Sequence, residues 1–263
     1  MTLLVKDIIS YLIPPAEAIH HTVDTLKFGN ENTPITGIAV TFMPTYEAIE
    51  RTIEQHANLL ICHEGLFYKH LDDPLPIHDK VYQAKKQRIK ETNLNIFRLH
   101  DHIHRIEPDQ ITYGLITKLE WQPYIIEHKT ESSIVSLPKQ SLYQVITDLK
   151  DKLNLSHVRY TGDLNQSCQR IGLFVGYRGG SHQTLSLINQ YNLDLVICGE
   201  GPEWETPEYI RDARYIGENR GLIVIGHMES EEPGMRAVAQ QLSEAFQEVP
   251  VFFIRNKTAL SMI

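Results

Sequence analysis

The chain contains one segment twice, and this repeat limits what it can fold into more than any other feature. The first copy reads ITGIAVTFMPTYEAIERTIEQHANLLICHEG (35–65), and the second reads CQRIGLFVGYRGGSHQTLSLINQYNLDLVICGEG (168–201). Each copy has the pattern of an apolar strand, a turn, an amphipathic helix and a second apolar strand that ends in a Cys-x-Glu-Gly turn. Each continues into a further helix and a third strand, LNIFRLH or LIVIGH, that ends on a histidine.

Strands that alternate with helices indicate mostly parallel sheets covered by helices. The sequence therefore predicts an α/β fold of two similar, duplicated halves, residues 1–120 and 121–263, which together form one compact unit. Hydroxyl residues stand where the caps of the first helix of each copy are expected, at Thr45 and Ser181. Later in the second copy, Pro233 is expected to open the helix GMRAVAQQLSEAF.

Composition and charge argue against several classes of protein. The three cysteines, Cys62, Cys168 and Cys198, include no C-x-x-C spacing, which argues against a disulfide framework or a thiolate zinc site and predicts buried thiols. The net charge is −8 and no long basic run occurs, so nucleic acid is not expected as a partner. Apolar stretches are much shorter than a membrane span and the N-terminal residues lack a signal-peptide pattern, so we expect a cytoplasmic protein without a membrane association.

Histidines and carboxylates gather at the predicted strand ends. Because ligand sites in parallel sheets lie beyond the carboxyl ends of the strands, we expect these side chains on one edge of the fold. They are His63, Glu64, His100, Asp101, His102, His104, His227, Glu229, Glu231 and Glu232. Neutral imidazole together with carboxylate suits zinc, iron, manganese, cobalt or nickel. The sequence therefore predicts a metal site, whereas a solvated acidic cap on a helix is the alternative for the ESEE run.

Two local questions stay open in the sequence. An extended HDHIH segment would put residues 100, 102 and 104 on one face, whereas a turn after His100 would bring His104 back as in the second copy. The Gly-rich connection GYRGGS (176–181) could present backbone amides to an anion, with Arg178 adding charge, or could be an ordinary turn.

Taken together, these motifs resemble the NIF3-like family, also called DUF34 and labelled GTP cyclohydrolase 1 type 2. The resemblance covers nearly the whole chain and rests on VDTLKFGN, LICHEGLFY, LHDHIH, ICGE and, most specifically, GHMESE. It implies two similar α/β halves, a dinuclear metal centre and a toroidal homohexamer whose sites face an internal cavity. Two divalent ions per chain are therefore expected.

Two positions depart from the family pattern, because Glu64 stands where the family usually has a second histidine and His104 where it usually has an aspartate. The resemblance implies that His63, His227 and Glu231 hold one metal ion, and that Glu64, His104 and Glu231 hold the other. In this interpretation the two departures are a reciprocal swap. Asp101 is the alternative ligand if the register of the first half is shifted.

Such a dinuclear centre favours a metal-dependent hydrolase that acts on a small nucleotide-like or phosphorylated substrate. His100 and His102, which the implied ligand set does not need, are the candidate catalytic residues for moving protons. A metal-binding or metal-delivering assembly without turnover is the second interpretation, and a scaffold that has lost the metal is the third. The sequence leaves the metal and the substrate open.

Overall fold

A computed structural model describes residues 2–17, 19–71, 76 and 78–261. In chain order its helices and strands are α1 (Val5–Leu12), β1 (Leu26–Phe28), β2 (Ile38–Thr41), α2 (Tyr46–Glu54), β3 (Leu59–Cys62), α3 (Lys80–Thr92), β4 (Asn95–Arg98), α4 (Asp101–Arg105), α5 (Gln110–Lys118), β5 (Ile125–Lys129), β6 (Ser132–Ser141), α6 (Leu142–Leu153), β7 (Arg159–Thr161), β8 (Ser167–Phe174), α7 (Ser181–Tyr191), β9 (Leu195–Cys198), α8 (Thr206–Tyr215), β10 (Gly221–Val224), α9 (His227–Ala245) and β11 (Val251–Phe253). Short 3₁₀ turns occur at Pro15–Glu17 and Gln122–Tyr124.

The chain divides into two compact units, each built on one sheet. The first unit comprises residues 1–103 together with 235–263, and the second comprises residues 104–234. The division falls inside α4 and inside α9. The predicted boundary at residue 120 refers to the duplicated halves and stays a prediction.

The sheet of the first unit has the strand order β1-β4-β3-β2-β11. Strands β11, β2, β3 and β4 run parallel, and β1 joins β4 antiparallel at one edge. Every residue of β2, β3 and β4 is buried. Parallel strands that are covered on both faces need nearly continuous apolar runs, which explains the sequences IAVT and LLIC.

The sheet of the second unit has the order β5-β6-β8-β9-β10-β7 and is mixed. Its centre, β8, β9 and β10, is parallel, whereas β5, β6 and β7 pair antiparallel. The expectation of mostly parallel sheets therefore describes the first sheet better than the second. The reason is local, because β5 and β6 are joined by a two-residue turn, and a connection that short permits only an antiparallel pair.

Both units contain the predicted repeat. Its order is β2-α2-β3-α3-β4 in the first unit and β8-α7-β9-α8-β10 in the second. The amide of Leu99 donates to the carbonyl of Cys62, and the amide of Ile225 donates in the same way to Cys198. This pairing makes Asp101, rather than His100, the equivalent of His227, so the sequence alignment of the third strands is shifted by one residue.

The last helix begins earlier than the sequence predicts. Helix α9 starts at His227, and Pro233 lies inside it rather than at its first position. His227 and Glu231 are therefore four residues apart on a helix, which brings their side chains to one face. Gly234, which follows Pro233, allows close packing of α9 on α5, since a Cβ at this position would lie 2.6 Å from the Cα of Ile111.

Two further expectations concern exposure to solvent or lipid. All three cysteines are free and buried, as predicted. Within the described residues, no helix is both long enough and apolar enough to cross a bilayer.

Candidate metal centre

In the second unit, a buried carboxylate lies against two histidines. Oε1 of Glu231 is 3.7 Å from Nε2 of His104, and Oε2 of Glu231 is 3.1 Å from Nε2 of His227. The side chain of Glu231 is only 3% exposed. One carboxylate thus presents each of its oxygens to a different imidazole.

A further carboxylate holds each of these imidazoles from behind. Nδ1 of His104 lies 2.9 Å from Asp109, which also accepts a 2.7 Å hydrogen bond from Arg178. Nδ1 of His227 lies 2.9 Å from Glu200. Because a carboxylate accepts, each Nδ1 carries the proton and each Nε2 faces Glu231. Metal-binding histidines usually donate the ring N–H that is not on the metal to a carboxylate or a similar acceptor, as these two do.

The lone pairs of the two imidazoles and of Glu231 face each other and require a cation between them. A neutral imidazole with its proton on Nδ1 offers a lone pair at Nε2, and Glu231 offers lone pairs in return, so a proton or a metal ion must lie between them. Burial raises the pKa of Asp109, but the hydrogen bonds from His104 and Arg178 and the charge of Arg178 outweigh it and lower the pKa below its ordinary value. The donor set of imidazole and carboxylate therefore fits a divalent metal.

The GYRGGS turn makes room for this carboxylate. Gly176 has φ +59°, and a Cβ there would lie 2.1 Å from Oε1 of Glu231 and 3.1 Å from Nε2 of His227. The amide of Gly176 donates to the hydroxyl of Ser230, which itself donates to the carbonyl of His227. The turn and the first turn of α9 are therefore fitted to each other.

An anion site at the same turn is not supported. The amide of Ser181, at the start of α7, donates to the carboxylate of Glu205 at 2.6 Å, and Arg178 pairs with Asp109. Ser181 is the first helical residue and not the cap, so that expectation was wrong, whereas Thr45 caps α2 as predicted. Glu205 already occupies the position that an anion would take.

In the first unit, His63 follows β3 and is fully buried. Its Nδ1 lies 2.9 Å from the carbonyl of Leu99, so Nδ1 donates and Nε2 carries the lone pair. The ring of His63 stacks on that of His100, with centroids 4.6 Å apart and planes at 26°. His63 therefore has the tautomer that a metal ligand needs.

Glu64, the neighbour of His63, faces a buried cation. Its Oε2 lies 3.5 Å from Nη2 of Arg98, whose side chain has no exposed surface, while Glu64 is 18% exposed. The backbone amide of Gly65 also donates to this oxygen, at 3.3 Å. Glu64 is thus a partly buried carboxylate within an ion pair.

Asp24 sets the direction of α4, which carries the HDHIH histidines. Its carboxylate accepts from the amides of His100, Asp101 and His102 at 2.7 to 2.9 Å. A carboxylate on the first amides of a helix satisfies donors that have no partner within the helix. The segment is therefore helical, and the extended alternative is wrong.

The side chain of Asp101 contacts the residues just before Asp24 and also orients His100. Its carboxylate accepts from Thr22 and from the amide of Val23, and it lies 3.0 Å from Nδ1 of His100. Burial raises the pKa of Asp101, but these three hydrogen bonds outweigh it and lower the pKa to about 2. Atoms of His70, His100 and Asp101 also lie within 4.8 Å of one another, a spacing that could accept a metal ion.

The two candidate catalytic histidines have different surroundings. His100 is oriented by Asp101, and the rings of His70 and His100 meet in a T-shaped contact with centroids 4.9 Å apart. His102 is 4% exposed, and its Nε2 lies 3.7 Å from a carboxylate oxygen of the exposed Glu17. His100 therefore has the geometry of a proton-transfer residue, whereas His102 has that of a packed histidine.

Sequence analysis did not single out Asp24, Arg98, Asp109 or Glu200 as functional residues. A signal existed for Glu200, because it occupies the same place in the repeated Cys-x-Glu-Gly turn as Glu64. Asp109 reads as a helix cap, and it does accept from the amides of Ile111 and Thr112 at the start of α5. Its second contact, to His104, carried no sequence signal.

The fold and the histidine-carboxylate groups define an α/β protein with candidate metal ligands in each unit. The family model described as Duf34/NIF3 (NGG1p interacting factor 3) matches residues 4–259. The chain therefore belongs to the Duf34/NIF3 family, as its motifs predicted.

Relatives and solved structures agree with this family. A GTP cyclohydrolase 1 type 2 homolog from Clostridium perfringens is 24% identical over 243 residues, which cover 89% of this chain and 87% of that protein. A Staphylococcus aureus hypothetical protein has a TM-score of 0.79 at 16% identity over 100% of both chains. A Bacillus cereus protein related to NIF3 has a TM-score of 0.76 at 13% identity, covering 100% of this chain and 99% of that one. At such identities the structures establish a common fold and no common activity.

Proposed function

We propose that this protein binds two divalent metal ions per chain and hydrolyses a small nucleotide-like or phosphorylated substrate. The proposed ligands are His63 and Glu64 in the first unit and His104, His227 and Glu231 in the second. The observation that carries the proposal is the buried carboxylate of Glu231, whose oxygens lie 3.7 and 3.1 Å from the imidazoles of His104 and His227.

Each of these two imidazoles is held by its own carboxylate, which supports a ligand role over a structural one. A histidine that served only to pack would not need its rear nitrogen on an ionised group while its front nitrogen faced another carboxylate. Asp109 and Glu200 fix the rings of His104 and His227 in this orientation.

Divalent ions at such ligands act as Lewis acids and make water a better nucleophile at neutral pH. The residues of this chain orient the ligands and move protons. With Nδ1 of His100 donating to Asp101, Nε2 of His100 is the atom that accepts or returns a proton during hydrolysis. His102 has no such role in this proposal, because it is buried beside Glu17.

The name of the curated relatives supports GTP as the first substrate to test. The experiment incubates zinc-, manganese-, iron-, cobalt- or nickel-loaded protein with GTP, other nucleotides and simple phosphoesters, and measures released phosphate and base-ring products. We expect turnover of at least one compound and its loss in Glu231→Gln. Stoichiometric metal without turnover of any compound would favour a metal-binding or metal-delivering role, and absence of metal would favour a scaffold.

The family resemblance also supports a closed homo-oligomer, most simply a hexamer, because soluble assemblies usually close by symmetry. Light scattering coupled to size exclusion measures this state. A mass of one chain at every concentration would contradict it.

A further inference from the structure

Arg98 is one of the largest side chains that are fully buried in the described part of the chain, and its position at the end of β4 requires an explanation. A guanidinium without exposed surface destabilises the fold unless its nitrogens are hydrogen-bonded and its charge is neutralised. The groups that satisfy Arg98 therefore indicate what it is for.

The hydrogen bonds described for its side chain go to the segment that follows β3, which we call the ligand loop (residues 63–70). Nε donates to the carbonyl of His63 at 3.0 Å. Nη1 donates to the carbonyl of His70, and Nη2 lies 3.3 Å from Nδ1 of the same residue. One side chain thus fastens both ends of the loop that carries His63 and Glu64.

The neutralising charge comes from the loop itself. Oε2 of Glu64 lies 3.5 Å from Nη2 of Arg98. A histidine at position 64 would place a neutral or positive ring against this buried cation. A glutamate in that place instead supplies the negative charge that Arg98 requires.

We propose that Arg98 is a positioning residue that directs Glu64 toward the metal, and that position 64 carries a glutamate because Arg98 requires a carboxylate there. This inference rests on the proposed function for its metal, but the pairing itself is a property of the first unit. In this proposal Glu64 and His104 do not compensate for each other, because each is matched by its own neighbours. Glu64 is matched by Arg98, and His104 is matched separately by Asp109 and Arg178.

A second buried cation provides the control. Lys85 in α3 donates to the carbonyl of Leu66 at 2.6 Å and lies 4.8 Å from the centre of the Tyr68 ring. It therefore holds the middle of the same loop through the backbone. Replacing Lys85 by methionine removes a hydrogen bond to the backbone of the loop, as replacing Arg98 by lysine does, and so reports what loosening of the loop alone produces.

The first test measures thermal midpoints in the presence of a chelator, so that metal does not contribute. We expect Glu64→Gln and Glu64→His to lower the midpoint by about 5 °C, as loss of the partner of a buried charge should in a chain of this size. Adding Arg98→Met to Glu64→His should recover at least half of that shift. Adding His104→Asp to Glu64→His should recover none of it.

The pairing is overturned if Glu64→Gln keeps the wild-type midpoint, or if His104→Asp rescues Glu64→His while Arg98→Met does not. Should the Arg98→Met protein fail to fold, the Glu64→Gln midpoint and the His104→Asp arm still decide. Because these measurements are made without metal, a failure of the proposed function leaves them interpretable.

The second test measures zinc affinity by competition with a chromophoric chelator. Arg98→Lys keeps a cation but loses the planar fork that reaches both ends of the loop. We expect it to weaken zinc binding by about 10- to 100-fold, the range for residues that orient ligands, and to weaken it clearly more than Lys85→Met, which loosens the loop at Leu66. Equal losses in the two variants would show that loop rigidity alone is responsible and would overturn the role of Arg98 toward Glu64.

Discussion

Oε2 of Glu231 lies 3.1 Å from Nε2 of His227, which stands four residues earlier on α9. The spacing follows from the helix, which begins at His227 and returns both side chains to one face after a full turn. His104 meets the second oxygen of the same carboxylate at 3.7 Å. This arrangement is the basis of the proposed metal site.

Asp109 should control how well His104 binds metal. In Asp109→Asn the imidazole keeps a hydrogen-bond partner but loses the negative charge behind it, so we expect zinc affinity to fall by about 10- to 100-fold. Asp148→Asn is the control, because Asp148 also pairs with a cation, Lys152, but lies on α6. Chelator competition measures both, and equal affinity in wild type and Asp109→Asn would contradict the orienting role.

Gly176 should be required for the position of Glu231. A Cβ at Gly176 would overlap the Glu231 carboxylate at 2.1 Å, and φ +59° adds backbone strain for any other residue. Gly217 has φ +92° with nothing within 4 Å of its Cβ position, so Gly217→Ala carries the strain without the clash.

We expect Gly217→Ala to destabilise the protein by about 1 kcal/mol and to leave bound metal unchanged. Gly176→Ala should cost more stability and should lower bound metal. Urea unfolding and elemental analysis measure the two effects. Equal behaviour of the two alanine variants would mean that the close approach to Glu231 has no functional consequence.

Asp101 should stabilise the protein in a pH-dependent way. Its pKa is about 2 in the folded protein against an ordinary value of 3.8, so the stabilisation is fully present above pH 3.8 and is lost as the pH falls toward 2. Asp101→Asn should cost about 1 kcal/mol at pH 7, a value reduced for the partial exposure of the carboxyl. Urea unfolding of chelator-treated protein measures the difference, which should shrink below pH 3.8; a constant difference down to pH 2 would argue against it.

The cysteines should be inert in the folded protein. Burial raises the pKa of Cys168 to about 11 and that of Cys198 to about 12. At pH 8 the thiolate fraction of either is then about 0.1% or less, and the thiolate is the form that reacts or binds metal. Iodoacetamide followed by mass spectrometry should label these residues only after unfolding in urea. Complete labelling of the folded protein would contradict this prediction and make the cysteines candidate metal ligands.

The sequence predicted the repeated core because its strands are buried on both faces. IAVT, LLIC and NIFR are entirely buried, and short, mainly apolar runs between polar turns are recognisable as buried strands in the sequence. Apolar patterns do not show where backbone pairing stops, however, so the third strands were aligned one residue out of register. The pattern also does not show that a helix continues through Pro233.

The candidate ligands were visible because they end repeated strands, whereas the residues that orient them were not. Asp24 and His100 are separated by 76 positions, and Asp109 and Arg178 by 69. Contacts over such distances depend on tertiary packing and leave no periodic signal in one sequence. The same holds for Arg98, which reads as a polar interruption of an apolar strand until its contacts to the ligand loop are known.

The central claim is tested most directly by measuring metal in the purified protein together with a Glu231→Gln variant. Inductively coupled plasma mass spectrometry on protein purified without added metal, and again after incubation with zinc or manganese, gives the number of ions per chain. Glu244→Gln on the same helix is the control, because Glu244 is exposed. Among the contacts described, its carboxylate accepts a hydrogen bond from the side chain of Gln240, and its backbone carbonyl accepts one from the side chain of Gln247. We predict about two ions per chain for wild type and for Glu244→Gln, and a loss of affinity of more than about 100-fold for Glu231→Gln with the fold retained. Wild-type protein that holds no stoichiometric metal after incubation, or a Glu231→Gln protein that binds as tightly as wild type, would contradict the account.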